Sequence, residues 1–290
     1  MKLVTYYCDS ALRSGALIHR NGIDLLVDLN QANPLLPAEM MAFLRMGEPA
    51  ISFARQAAAN PDLRSCRPLS EVRLGPPVPS PAKIICLGLN YQDHAPAGEK
   101  PTQAFPTIFA KYNNCIVAPG DPILIPAATG QVDYEAELAV VIGQRGKDIP
   151  VQDALKHVAG YTAFNDVSAR DFQNRTSQWL QGKTFDTFGP MGPALVTCDE
   201  IPDPGRLDIS LVLNGETMQH SNTGYMIFTI PEIIAYLSQI MTLEPGDVIS
   251  TGTPGGVGIL RDPPVLLKPG DRVEVHIEGV GVLSNPVSAA

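Results

Sequence analysis

The run Gln131-Val132-Asp133-Tyr134-Glu135-Ala136-Glu137-Leu138-Ala139-Val140-Val141-Ile142 constrains this chain more than any other. Its second half is continuously apolar, as expected of an interior strand. Side chains two apart on a strand share a face. Asp133, Glu135 and Glu137 are therefore expected to point one way, and Tyr134, Ala136 and Leu138 the other. Three carboxylates on one buried face repel each other, and desolvating even one unpaired carboxylate costs several kcal/mol. Such a cluster persists if the face opens to water, if basic side chains cover it, or if a cation sits there. A bare DxExE is more often a solvated face with scattered ion pairs; the apolar continuation argues against that reading here. Hard oxygen ligands of this kind suit Mg²⁺, Mn²⁺ or Ca²⁺.

A second segment ends an apolar run, Tyr161-Thr162-Ala163-Phe164, on the polar pair Asn165-Asp166, followed by Val167-Ser168-Ala169-Arg170-Asp171-Phe172-Gln173. Two readings stand. In one, Asp166 caps a following helix and pairs with Arg170 at i,i+4. In the other, Asp166 is a further metal ligand and Arg170 and Gln173 line the same pocket.

Most of the remaining signals are strands. Met1–Tyr7, Ala16–Arg20 and Ile23–Leu29 open the chain, with Asn21-Gly22 as a hairpin turn. Ala38–Ala59 has helical spacing that Gly47 and Pro49 divide into two short helices. The connector GPPVPSPAK (75–83) carries four prolines and favours extended backbone. It sets a domain boundary: residues 1–75 as a small N-terminal domain and 76–290 as the larger body. In the body, Ile84–Gly88, Ile123–Pro126, Tyr134–Gly143, Leu207–Leu213, Asp247–Thr251 and Arg272–Glu278 read as strands. Val151–His157, Ser168–Gln173 and Pro231–Met241 read as helices. The expected class is a mixed, β-rich α+β protein.

Composition narrows the function. The formal net charge is −9 with no long basic run, which sets nucleic acid aside. No apolar run approaches the ~18 residues of a membrane span, so no membrane partner is expected. Five cysteines without CxxC spacing read as reduced thiols of a cytoplasmic protein. The five histidines form no HxH or HExxH pairing, against a zinc centre. No GxSxG elbow is present.

Three further features carry possible chemistry. Gln181-Gly182-Lys183-Thr184 resembles the end of a phosphate-binding loop, but that signature needs glycine at position 177, which is serine. Lys183 then reads, on its own, as a surface lysine, with a substrate-carboxylate role as the alternative. Thr251-Gly252-Thr253-Pro254-Gly255-Gly256-Val257-Gly258 follows a strand and would let backbone N–H groups approach a ligand. His94, on a loop after Ile84–Gly88, is a candidate general base.

Taken in order, Gly88-Leu89-Asn90-Tyr91…Asp93-His94, Phe109-Ala110-Lys111, Asp133-Tyr134-Glu135-Ala136-Glu137-Leu138, Asn165-Asp166-Val167-Ser168-Ala169-Arg170-Asp171, Gly182-Lys183 with Phe185-Asp186, and Thr251 to Gly258 resemble the fumarylacetoacetate hydrolase superfamily. The resemblance covers roughly residues 80–285. It implies a rolled β-sandwich catalytic domain, a homodimer, and one Mg²⁺ or Mn²⁺ per subunit on Glu135, Glu137 and Asp166. It also implies that Gln173, Lys183 and Thr253 line the substrate site, that Arg170 supports it, and that His94 lies on a lid. One departure concerns the reaction. Where the resemblance leads one to expect a glutamate, three residues after His94, this chain has Ala97; the nearest following acid is Glu99. The first expectation is hydrolysis of a carbon–carbon bond in a small 2,4-diketo acid, with Lys183 holding the carboxylate and His94, oriented by Glu99, activating water. The alternative uses the same site without water, for decarboxylation of an oxaloacetate-like acid or keto–enol isomerisation.

Overall fold

The computed structural model describes residues 1–94 and 103–290. We label the longer strands β1 (Lys2–Cys8), β2 (Ala11–Arg20), β3 (Ile23–Asp28), β4 (Cys66–Pro68), β5 (Ile84–Gly88), β6 (Thr107–Lys111), β7 (Ile123–Ile125) and β8 (Ala136–Ile142). They continue as β9 (Val158–Asn165), β10 (Gly189–Thr197), β11 (Asp208–Leu213), β12 (Glu216–Asn222), β13 (Val248–Ser250), β14 (Arg272–Ile277) and β15 (Gly281–Ala289). The helices are α1 (Leu29–Ala32), α2 (Met40–Met46), α3 (Glu48–Ala59), α4 (Arg170–Gln173), α5 (Leu180–Lys183) and α6 (Ile230–Ile240).

Local chemistry accounts for the punctuation. Asn21 and Gly22 both have positive φ, 53° and 77°, as the hairpin between β2 and β3 requires. Gly47, at φ 69°, separates α2 from α3, and Pro49 falls in the first turn of α3, where its missing N–H costs nothing. Thr229 and Glu232 close a capping box at the start of α6.

The main sheet runs β4-β3-β2-β1-β10-β9-β8-β13-β5-β6. At its centre every residue of β8 is buried. β8 is antiparallel to β9 and β13, and β13 is parallel to β5. The C-terminal ends of β9, β13 and β5 therefore gather at one edge with the N-terminal end of β8. A five-stranded sheet, β12-β11-β14-β15-β7, packs across β8 and β9. The result is the β-rich α+β sandwich expected.

The sheet is continuous across residue 75. β1 pairs with β10 through Lys2↔Val196 and Leu3↔Leu195, and the N-terminal ammonium bonds Thr197 Oγ1 at 2.6 Å. One apolar cluster includes Leu3 and Phe43 from the first segment together with Leu138 and Val140 from the body.

Three expected elements differ. The strand does not run through Tyr134: Val132–Asp133 form a short ladder with Ser168–Ala169, and the regular strand restarts at Ala136. Asp133 thus leaves the face it was expected to share with Glu135 and Glu137. Likewise Ser168–Ala169 are extended, so only Arg170–Gln173 make a helical turn. The expected helix Val151–His157 is a 3₁₀ helix.

Candidate metal centre

Glu135 precedes β8, Glu137 lies within it, and Asp166 follows β9, its neighbour in the sheet. One carboxylate oxygen from each lies within 4.8 Å of the others. All three are buried, at 6%, 1% and 0% exposure. A buried triad of this kind could hold a divalent metal.

The surrounding charges show why a cation fits. Lys111 Nζ, from the end of β6, is 2.6 Å from Asp166 Oδ1. Lys183 Nζ, from the end of α5, is 2.7 Å from Glu135 Oε2 and 2.8 Å from Asp166 Oδ2. Arg170 Nη1 is 2.7 Å from Glu135 Oε1, and its Nε donates to Asp133 Oδ2 at 2.9 Å. Burial pushes the Glu135 carboxyl up, but Lys183 and Arg170 outweigh that and hold it well below the usual carboxylate range. Glu137 differs. Its bonds come from the uncharged Ser250 hydroxyl and the Gly252 N–H. Burial first, then Asp166 and Glu135, push its carboxyl well above the ordinary value. A buried carboxylate without a cationic partner costs several kcal/mol when ionised. A hard divalent cation would remove that cost, and an all-carboxylate donor set suits one.

Asp133 has another task. It accepts from the N–H groups of Gly258 and Ile259 at 2.8 and 3.0 Å and from Arg170. It clamps the end of the glycine-rich loop to the arginine that holds Glu135. The loop is also pinned at Thr253, whose Oγ1 donates to Ala136 O and accepts from Gln219 Nε2, both at 2.9 Å. Gln219 is itself held by Ala136 N–H.

The cleft above the triad has a volume of about 100 Å³. Glu135, Glu137, Arg170, Gln173, Lys183 and Thr253, each expected at the site, line it, together with Gly88, Phe109 and Trp179. Arg170 Nη1 donates to Gln173 Oε1 at 3.0 Å, which fixes the amide with its NH₂ as the donor end.

Several sequence readings need correction. Lys183 is not at the surface; it is 2% exposed. The cause is Gly182. A Cβ there would lie 2.5 Å from both Ala169 O and Gln173 N, so only glycine lets α5 press onto α4 and turn the next side chain inward. Asp166 is not a helix cap and does not pair with Arg170; with residues 168–169 extended, the two are not one helical turn apart. Lys111 was given no role by sequence reasoning. Its signal was its place in Phe109-Ala110-Lys111, one of the stretches that carry the resemblance, and only the fold brings it to Asp166. Trp179 and Ser250 were also missed. His94 ends a 3₁₀ turn, Gln92–His94; its side chain and Glu99 lie outside the described residues.

Fold and site together define a protein with a buried carboxylate triad, suited to a divalent metal, beside a small cleft whose charged lining is Glu135, Glu137, Arg170 and Lys183. The chain belongs to the fumarylacetoacetate hydrolase family: the family model "Fumarylacetoacetate (FAA) hydrolase C-terminal" matches residues 83–288. It is 50% identical over 266 residues, 90% of this chain and 83% of the relative, to the oxaloacetate tautomerase FAHD2A, mitochondrial, of Bos taurus. Among solved structures it resembles a putative HpcE protein from Mycobacterium smegmatis, with a TM-score of 0.87 and 37% identity over 100% of both chains. It also resembles maleylpyruvate hydrolase from Sphingobium sp. SYK-6 in complex with manganese(II) ion and pyruvate, with a TM-score of 0.82 and 32% identity over 100% of both chains. The bovine relative is mitochondrial by name, unlike the cytoplasmic setting read from the cysteines. Among the described residues no helix is long and apolar enough to cross a membrane.

Proposed function

We propose that this chain is a divalent-metal-dependent keto–enol tautomerase of small 2-oxo diacids of the oxaloacetate type. The observation that carries this reading is the 50% identity, over 90% of the chain, to a protein named oxaloacetate tautomerase. It favours the water-free alternative over the carbon–carbon hydrolysis expected first. The cleft agrees: about 100 Å³ is well below the ~300–1,000 Å³ of sites for drug-sized ligands.

Glu135, Glu137 and Asp166 would hold Mg²⁺ or Mn²⁺. When bound, that ion supplies Lewis-acid stabilisation of enolate charge. The chain's own residues do the rest. Lys183 and the Gln173 amide hold the substrate carboxylate. Arg170 fixes both Glu135 and Gln173, and Thr253, locked by Gln219, sets the loop on the far side. Tautomerisation breaks one C–H bond at C3 and forms one O–H bond at the 2-oxo oxygen; no water is consumed. It therefore needs no water-activating pair, and the departure at Ala97 is no obstacle. His94 is assigned, on the sequence alone, to move the C3 proton. A homodimer, implied by the resemblance, is part of the proposal, and light scattering tests it.

The test follows ultraviolet absorbance of enol-oxaloacetate after adding metal-stripped protein, with and without Mg²⁺ or Mn²⁺. Metal-dependent loss without pyruvate or carbon dioxide is the expected result. Release of both would mean decarboxylation. The resemblance to maleylpyruvate hydrolase keeps hydrolysis as the second reading; cleavage of an acylpyruvate to pyruvate and a carboxylic acid, with oxaloacetate untouched, would establish it instead.

A further inference from the structure

We propose that Trp179 is the residue that limits substrate length in this cleft. The inference deepens the tautomerase reading and rests on it for the identity of the natural substrate. Two cavities meet at Trp179 and Phe109. One is the cleft of about 100 Å³ that reaches Glu135, Glu137 and Lys183. The other is a groove of about 360 Å³ lined by Thr107, Tyr112, Ser177, Gln178 and Leu180. Both side chains line both cavities, so their rings form the partition between them.

The partition is firmly built. The indole meets the Phe109 ring edge-on, with centroids 5.6 Å apart and planes at 65°, a favoured aromatic geometry. Its far edge sits on Gly88 at the end of β5: a Cβ there would lie 2.2 Å from Trp179 Cζ3 and 2.8 Å from Cη2. Glycine at 88 is thus the space the indole occupies. On the other side Lys183 Nζ lies 5.0 Å from the Phe109 ring centroid, within cation–π range. The wall therefore runs from Gly88 through Trp179 and Phe109 to the lysine that faces the carboxylate triad. A four-carbon diacid needs no space beyond it. A 2-oxo acid with a longer acyl tail would have to pass where the indole stands. Removing the indole joins the cleft to the groove.

The test measures binding, so it does not depend on turnover. Mg²⁺-loaded protein is titrated with oxalate, then with oxamates bearing N-propyl and N-phenyl groups, which share a chelating head and differ in tail. This chain has one tryptophan, so its emission reports the wall directly, and calorimetry follows the variants that lack it. Wild type is expected to bind oxalate with a change in emission and to discriminate against the long tails. In Trp179→Ala the ratio of long-tail to oxalate affinity should rise roughly ten- to hundredfold, the range that apolar pocket contacts command. Trp179→Phe should fall between. Phe109→Ala, which opens the same partition from the other side, should shift the ratio in the same direction and carries the test if the tryptophan variant does not fold. An unchanged ratio in folded variants, or long tails bound by wild type as well as oxalate, would overturn the assignment. Oxalate failing to bind at all would overturn it too, since the cleft would then not be the site. Oxalate binding with the expected ratios, but no action on oxaloacetate, would sink the tautomerase reading alone.

Discussion

Glu137 and Lys111 stand in one buried cluster, and they should respond to substitution in different ways. Among the described residues Glu137 accepts only from uncharged donors. Glu137→Gln keeps an acceptor there and removes the charge that a metal would meet. The metal-free protein should melt within a few degrees of wild type, while Mg²⁺ or Mn²⁺ no longer raises the melting temperature. Turnover should fall at least ~10²-fold, the scale seen when transition-state charge loses a stabiliser. Asp166→Ala should lose metal-dependent turnover as well. A metal-linked rise in melting temperature, measured calorimetrically in Glu137→Gln, would remove that residue from the ligand set. Lys111→Met has a different signature. It leaves Asp166 facing Lys183 alone, and breaking a buried pair costs about 3–5 kcal/mol. Denaturant unfolding of the metal-free protein should show that loss; a cost below about 1 kcal/mol would mean that Lys111 contributes little to folding.

At the scale of elements, two carboxylates hold backbone in place. Asp133 clamps the loop around Gly258 to Arg170. Asp133→Ala should free that loop and Thr253 with it. KM should rise more than kcat falls, because the loop binds substrate while the triad remains. Equal effects on both would place Asp133 in the chemistry itself. In the first segment Asp28 caps α1 through Gln31 N–H and accepts from Arg13 and Tyr6. Burial raises its carboxyl, but the bonds from Arg13, Tyr6 and the Gln31 amide outweigh it, so the folded value lies below the ordinary 3.8. A group lowered on folding stabilises above its unfolded value. The Asp28 contribution is therefore fully present at neutral pH and is lost as pH falls below 3.8, through the lower folded value. Asp28→Asn should flatten that acid limb of a stability–pH profile and leave the slope above pH 5 unchanged. An unaltered acid limb would show that Asp28 is not the titrating group.

For the whole molecule the question is whether the boundary near residue 75 separates parts that fold alone. β1 extends the central sheet, and the apolar core runs through both segments. A chain of residues 76–290 would expose the edge of β10 and the faces that Leu3 and Phe43 cover, and exposed strand edges pair with other chains. Expressed alone it should aggregate or unfold without cooperativity in a calorimetric scan. A single sharp transition near that of the full chain would make the first segment an independent appendage.

Much of this protein was legible locally. Strand positions followed from period-2 patterns and turn residues, because these depend on side chains a few positions apart. The cost of unpartnered carboxylates beside an apolar strand pointed to Asp133, Glu135 and Glu137, and the family resemblance narrowed the expected ligand set to Glu135, Glu137 and Asp166. What failed depended on contacts between distant segments. Asp133 left the shared face because Val132–Asp133 paired with Ser168–Ala169 rather than continuing the strand. Lys183 read as a surface side chain because nothing nearby in sequence shows that Gly182 presses against Gln173. Neither Lys111, for all its place in a family motif, nor Trp179 could be given a role from the sequence, since their partners lie 55 residues away at Asp166 for the first and at Gly88 and Phe109 for the second. The sequence by itself determined the β-rich class and, through the family resemblance, named the carboxylates expected to meet a cation. Only the tertiary structure decided which cations face them and which ring closes the cleft, because the neutralisation of buried charge and the shape of a cavity are set by packing across the whole chain.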